Sequence, residues 1–306
     1  MSSNLSSSNR PSPRVSALVP VYNGAAYLAE AVESAMSQTM ADLEVIIIDD
    51  GSTDDSGAIA DRLAAADSDR VKVIHQANGG LVAARNAGLA VARGEYVALL
   101  DADDAWYPHH LAEALAVLDN HPDVGLVHAE YEVMDAQSVS QGTPPGRWVV
   151  PHKSAWEAIF LWQDHVMQVT AVFRRSLVDE VGPFDPRFNR LGCEDRDMWL
   201  RIAACRELVF LPGVHARYRV HGANMSKQRD RMHQARLQLI DKHSQQGQGR
   251  TLRSKALAAL SASNGYHARN RGEFPEAIRW YRDAIRHYPW SPRIWRAAVG
   301  ALVGRR

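Results

Sequence analysis

The stretch from Val45 to Gly57, VIIIDDGSTDDSG, constrains this chain more than any other. Four β-branched residues in a row favour a strand. They leave no polar alternation, so both faces of that strand are buried. Two aspartates follow at once, and carboxylates at the rim of a core need a ligand or a counter-charge. The same organisation surrounds it. VSALVPVY (Val15 to Tyr22), LEVIIID, VKVIHQ and EYVALLD read as strands, and AAYLAEAVESAMSQ, the segment near DDSGAIADRL and GGLVAARNAGLAVARG read as helices, the last stopping at Gly94. Strands joined in this way predict a mostly parallel central sheet flanked by helices, in which ligands sit beyond the carboxyl ends of the strands.

After Asp101 the rhythm loosens. VGLVHAEYEVMD reads as a strand, AQSVSQGTPPGRW as a mobile loop, EDRDMWLRIAAC as a helix and ELVFLPGVHARYRVH as two short strands. From Asn224 on, helical patterns dominate.

The acids fall in groups: Asp49 and Asp50; Asp101, Asp103 and Asp104; Glu194, Asp195 and Asp197. The first two groups follow expected parallel strands and can meet at one edge. Crowded carboxylates repel, and a divalent cation offsets the repulsion. An Asp-x-Asp leaves coordination places for water and diphosphate oxygens, which suits Mn2+ or Mg2+. Helix capping is the competing role, and it is the one expected of Asp54, Asp55 and Asp104. Gly79, Gly80, Arg85 and Asn86 read as residues that open and brace a helix, with diphosphate contact by Arg85 as the alternative. Phe184 and Phe188 read as packing a turn, Trp199 and Ile202 as core, and Cys193 as an inert thiol.

Three segments together, VSALVPVYNGAAYLAEAVESAMSQTMADLEVIIIDDGSTDDSG, GEYVALLDADD and CEDRDMWLRI, closely resemble glycosyltransferase family 2, inverting enzymes of GT-A fold. The likeness runs from about Val15 to Ser226. It implies a nucleotide-diphospho-sugar transferase in which Pro20 and Tyr22 shape the base pocket, Asp50 accepts the imide N–H of uracil or thymine, and Asp101 meets the ribose. It implies further that Asp103 holds the metal and Asp195 is the catalytic base, with Glu194 as helper or acceptor contact. His221, in YRVHGANMS, matches a segment that closes over the diphosphate or metal; a structural histidine is the other reading. The expected activity is metal-dependent transfer, hexosyltransferase-like, from a UDP-type sugar to a glycan or lipid-linked acceptor in polysaccharide, cell-envelope or glycolipid synthesis. A non-catalytic nucleotide-sugar-binding scaffold and a nucleotidyltransferase are the alternatives. The second lacks support in VPVYNGAAY, which carries no Lys or Arg.

This reading divides the chain into a disordered tail over 1–13, a GT-A domain over 14–226 and an α-helical extension over 227–306. The extension holds 17 Lys and Arg against 5 Asp and Glu, whereas the remainder holds 18 against 30. Such a basic segment points to an anionic surface as partner, with no nucleic acid expected. In it, Ala277, Tyr281, Ala284 and Pro289 have tetratricopeptide-like spacing and Phe274, Ile278, Tyr281, Ile285 and Tyr288 share a face, which predicts one helical hairpin. The two cysteines, Cys193 and Cys205, form no disulfide framework. The start has no apolar signal-peptide core. A cytoplasmic protein, peripheral on the inner face of the plasma membrane, is the expectation.

Overall fold

The computed structural model describes residues 12–144, 154–222, 228–245 and 247–304. The expected disordered tail therefore lies almost wholly outside the described residues, as do the last four residues of the loop expected over 136–148. Two compact units emerge. One is drawn from Met1–Gly146, Val166–Arg190 and Arg201–Gly222, the other from Arg147–His165, Leu191–Leu200 and Ala223–Arg306.

The first unit is built on nine strands: β1 (Val15–Val21), β2 (Leu43–Asp49), β3 (Val71–His75), β4 (Tyr96–Leu99), β5 (Ala105–Trp106), β6 (Val124–Met134), β7 (Ser140–Gly142), β8 (Val172–Arg174) and β9 (Glu207–Arg219). They form one sheet in the order β3-β2-β1-β4-β8-β6-β9-β5, with β7 added on β6. The expected parallel arrangement holds across β3, β2, β1 and β4. Beyond it β8 runs antiparallel to both β4 and β6, and β9 lies parallel to β6. Every residue of β1 and β2 is buried, as unalternating apolar runs require. Helices α1 (Leu28–Met36), α2 (Ser56–Ala66), α3 (Leu81–Val91), α4 (His110–Asn120) and α6 (Leu177–Val181) belong to this unit.

Two expectations change here. The segment after Glu207 is one thirteen-residue strand rather than two. Its pairing with β6 slips three times, at Val124/Leu126, Ala129/Glu130 and Glu130/Tyr131, and at the last two Pro212, Gly213 and His215 fall out of register. Proline and glycine mark a bulge within one strand. Helix α3 stops at Val91 and not at Gly94. Gly94 is needed for close approach: a Cβ there would lie 2.5 Å from the Ser16 nitrogen.

The second unit holds α5 (Ala155–Phe160) and the helices α8 (Arg229–His243), α9 (Gly247–Asn270), α10 (Phe274–His287) and α11 (Pro292–Leu302). Between the units' residues runs α7 (Glu194–Ala203), whose first seven residues belong to the second unit. The expected hairpin is α9 with α10, and α11 packs on it as a third helix. Their core gathers Ala258, Ala268, Ala277, Tyr281, Ala284, Ile294 and Ala301. Gly265 admits the Tyr281 ring, which would lie 3.0 Å from any Cβ placed there. Among the described residues no helix is long and apolar enough to cross a membrane.

Glu44, at the start of β2, is a buried charge with a full set of partners. It accepts from Ser16 Oγ at 2.8 Å, Lys72 Nζ at 2.9 Å and the Arg93 backbone and guanidinium at 2.8 to 3.0 Å. Burial alone would raise its pKa; Lys72, Arg93 and Ser16 outweigh that and hold the carboxyl below its ordinary value. A lowered folded pKa stabilises above the unfolded value, about 4.3, and that gain is lost as pH falls through the folded value. Glu44→Gln should therefore cost about 1–3 kcal/mol at neutral pH, and the deficit should shrink in acid. Urea denaturation from neutral to acid pH measures it; a gap independent of pH would show that charge is not the cause.

Candidate active site

The parallel strands β1, β2, β3 and β4 all end at one edge, and the chain turns there at Tyr22, Asp50, Gln76 and Leu100. Hydrogen bonds clip these turns together. Asn23, at φ +52°, accepts from Thr53 N–H at 2.8 Å through its Oδ1, and its own N–H donates to Ser52 Oγ at 3.0 Å. Gly24 N–H donates to Ser56 Oγ at 2.9 Å, and Ala25 N–H to Asp54 Oδ2 at 3.1 Å. Asp54 also accepts from Ser56 N–H at 3.0 Å, as a residue opening α2 should. Pro20 is buried within β1, whereas the Tyr22 ring just beyond it is 53% exposed.

Asp50 is buried, yet it is far from idle. Its Oδ1 accepts from Gly79 N–H at 2.8 Å and Gln76 Nε2 at 2.6 Å, and its Oδ2 accepts from Gly80 N–H at 2.8 Å. The carboxylate expected to meet a base imide thus also anchors the loop ahead of α3. Gly80 sits at φ +90°, where a Cβ would collide with Asn189 Oδ1. Asn86 exchanges hydrogen bonds of 2.8 and 2.9 Å with the Phe184 backbone, the bracing expected of it. Asp49 beside it accepts from Ser52 N–H and lies 3.0 Å from His75 Nδ1.

The turn after β4 gathers the second group of acids. Asp101 accepts from Arg85 Nη2 and from Gln168 Nε2, both at 2.8 Å. Arg85 is buried, over the Phe184 ring at 5.6 Å, and so braces the site from below. Asp103 Oδ2 lies 2.8 Å from His221 Nε2. Burial and the Asp101 charge push the Asp103 carboxyl above its ordinary value, and His221 pulls against them.

Asp104 corrects an expectation. It caps no helix: α4 begins six residues later with His109 at its cap position. Asp104 is instead fully buried, accepts from Arg219 N–H at 2.8 Å through Oδ1, and leaves Oδ2 without a partner among the described residues. Burial drives its pKa well up, with the Asp103 and Asp101 charges adding to the effect.

Arg219 holds this turn. The side chain is wholly buried and lies over the Tyr27 ring at 4.5 Å. Its Nε donates to the Asp103 carbonyl at 2.7 Å, Nη1 to Ser138 Oγ at 2.8 Å and Nη2 to Glu30 Oε2 at 2.5 Å. It escaped the sequence reading, as did Gln168. The available signal was the alternation Arg217, Arg219, His221, which sets Arg217 and Arg219 on one side of β9 and His221 two residues past its end.

One oxygen from each of Asp101, Asp103 and Asp104 lies within 4.8 Å of the others. An oxygen-only set with an orphaned buried carboxylate oxygen fits a hard divalent cation. His221, which shares Asp103, stands where it could join such a set.

In the second unit, Glu194 and Asp195 open α7. Glu194 is buried, and Asp195 is half-buried, its Oδ1 accepting from Arg196 N–H at 2.7 Å. Asp197 is fully buried against Lys242 Nζ at 2.5 Å and His243 Nε2 at 2.8 Å. Cys193, at φ +65°, has its thiol pushed up to about 12, mainly by burial and then by the Asp195 charge, so it stays protonated.

Residues 16–182 match the model of glycosyl transferase family 2. The chain belongs to that family. An uncharacterized glycosyltransferase of Nostoc sp. is 34% identical over 218 residues, covering 69% of this chain and 66% of that protein. One of Rickettsia prowazekii is 30% identical over 215 residues, covering 69% and 65%. The chain thus spans just under two thirds of the length of these relatives. Among solved structures, S. aureus TarS 1-349 in complex with UDP-GlcNAc aligns with TM-score 0.65 at 18% identity, covering 95% of this chain and 88% of that one. Mannosyltransferase PcManGT from Pyrobaculum calidifontis, in complex with GDP-Man and Mn2+, aligns with TM-score 0.61 at 23% identity, covering 95% and 85%. These two likenesses establish the GT-A fold.

Arg219→Met tests the organisation of the turn. It strips a buried guanidinium from the Asp103 carbonyl and from the half-buried Glu30, which keeps Arg217, and losing hydrogen bonds to a charged group costs about 1–3 kcal/mol. Denaturant unfolding should register that loss; a change under about 1 kcal/mol would show that the turn does not depend on Arg219.

Proposed function

We propose that this chain is an inverting glycosyltransferase that moves a sugar from a nucleoside diphosphate sugar, of UDP type, to an acceptor hydroxyl. The observation that carries the proposal is the edge itself: Tyr22, Asp50, Asp101 and Asp103 stand at the ends of adjoining parallel strands. That is where open α/β sheets bind nucleotides. A nucleotide needs a stacking surface, polar groups for its base and ribose, and a cation for its diphosphate. Tyr22 supplies the first, Asp50 and Asp101 the second, and Asp103 with His221 the residues for the third. The UDP-GlcNAc bound to TarS and the GDP-Man and Mn2+ bound to PcManGT support that donor class and cofactor.

When bound, Mn2+ or Mg2+ at Asp103 and His221 would supply positive charge opposite a diphosphate that becomes more negative as it leaves. The residues of the chain do the rest. Asp101 orients the ribose, and Tyr22 and Pro20 frame the base. Asp195, as carboxylate, accepts the proton of the acceptor hydroxyl as it attacks the anomeric carbon from the side opposite the diphosphate. One displacement inverts the configuration without a covalent enzyme intermediate. Glu194 acts as helper or acceptor contact.

The acceptor is a growing glycan or lipid-linked saccharide of a surface polysaccharide or glycolipid, met at the inner face of the plasma membrane. Trp290 is 82% exposed and Trp295 49% exposed, on a segment rich in arginine. Basic helices bearing tryptophan lie in the headgroup region of anionic membranes. Trp290→Ser with Trp295→Ser should abolish flotation with anionic liposomes at low salt; unchanged flotation would remove this surface from the proposal.

Asp195→Asn is the decisive variant for the chemistry. Asn keeps the oxygen that Asp195 offers to Arg196 N–H, so melting temperature and UDP binding should hold while transfer falls by roughly 10²–10⁴-fold. Release of UDP in the presence of acceptor measures it. Near-normal transfer would take Asp195 out of the mechanism. Asp50→Ala is less clean, since it also leaves Gly79, Gly80 and Gln76 without their acceptor.

A further inference from the structure

The acidic turn is not the only place in the first unit where ligating atoms converge. His109 and Glu113 lie one turn apart at the start of α4, and His215 faces them from β9. One ligand atom from each falls within 4.8 Å of the other two. His215 Nε2 is 3.5 Å from Glu113 Oε2, and the His109 and His215 rings meet edge to face at 4.9 Å.

We propose that His109, Glu113 and His215 form a binding site for a borderline divalent transition metal such as Zn2+, separate from the oxygen-only turn at Asp103.

Beyond the convergence itself, two observations carry it. The first is how His215 comes to point there. It is the residue skipped in the β6–β9 ladder, between Val214 opposite Glu130 and Ala216 opposite Tyr131, just after the unpaired Pro212 and Gly213. A bulge of this kind re-aims a side chain and is common beside sites. The second is that the His215 side chain is buried, 1% exposed, and its Nε2 makes no hydrogen bond among the described residues, with the Glu113 carboxylate 3.5 Å away. A buried polar atom without a hydrogen bond is rare and calls for a ligand. On the other side of the ring, His215 Nδ1 lies 3.5 Å from His110 Nδ1. A second ring nitrogen held by a partner is the usual support for a metal-bound histidine.

The donor set suits the metal. Two imidazoles and a carboxylate with room for water match zinc rather than calcium or magnesium. Bonds of about 2.0–2.1 Å need ligand atoms about 3.4 Å apart. Glu113, with its side chain 55% exposed, and the half-buried His109 can rotate inward to close that distance. A bound ion would pin the start of α4 to the strand that carries Arg219 and leads into His221.

The test uses the full chain with Zn2+, and with Co2+ as a spectroscopic probe. Asp103→Asn weakens the acidic turn as a competing site. His109→Ala with Glu113→Ala removes two ligands at the helix surface and leaves the buried histidines in place; His109 makes no side-chain cap bond there. Wild type and Asp103→Asn should each hold one Zn2+ after dialysis, melt at a higher temperature with it, and give the intense visible band of four- or five-coordinate Co2+. The double variant should fold, lose the band and bind Zn2+ more than about tenfold more weakly. Zn2+ binding equal to wild type in the double variant, or no binding by Asp103→Asn, would overturn the site. Neither result bears on sugar transfer, which is read from UDP release.

Discussion

A single buried cation, Arg219, organises the acidic turn. Three aspartates within four residues repel one another, and Asp104 sits where water cannot screen it. Arg219 answers this from β9 by binding the Asp103 carbonyl with its side chain and Asp104 with its backbone N–H. Its other nitrogens reach Glu30 on α1 and Ser138 beside β7. The turn's shape is thereby tied to three separated stretches of chain. Arg85 performs the same service for Asp101 from α3. Pairing leaves the cluster with one orphaned oxygen, on Asp104, and this residual imbalance makes a divalent cation a natural occupant.

The other half of the edge is held differently. Asp50 spends its carboxylate on backbone N–H groups of the Gly79–Gly80 loop, and the turns after β1 and β2 lock through Asn23, Ser52, Thr53 and Ser56. Pre-formed loops bind at lower entropic cost than mobile ones. The residues that hold the edge together and those assigned to the donor are therefore partly the same, and substitutions there need a fold control.

In the second unit the buried Asp197 is anchored by Lys242 and His243 of α8. The acids that open α7 therefore have distinct surroundings: Asp197 is spent on an ion pair, whereas Asp195 is half-buried.

Much was legible in the sequence because it depends on neighbours along the chain. Unalternating β-branched runs specify buried strands, so β1, β2 and β3 and the helices between them follow from local pattern, as do the aspartates at strand ends and the hairpin of α9 and α10. The ordered motifs specify the family. What depends on partners far apart in the chain was not legible. Asp104 looked like a cap because Pro108 follows it; it became a buried acid because β9 arrives beside it more than a hundred residues later. The segment from Glu207 looked like two short strands; pairing with β6 made it one, with a bulge at Pro212 and Gly213 that turns His215 toward α4. Gly94 looked like a helix stop and proved to be a clearance for the β1 backbone. Residue type and spacing thus determined which groups are available and on which elements. Only the tertiary structure decided which charges are neutralised by whom, because Coulomb and desolvation terms depend on distance in space and on burial, and neither is written in local order.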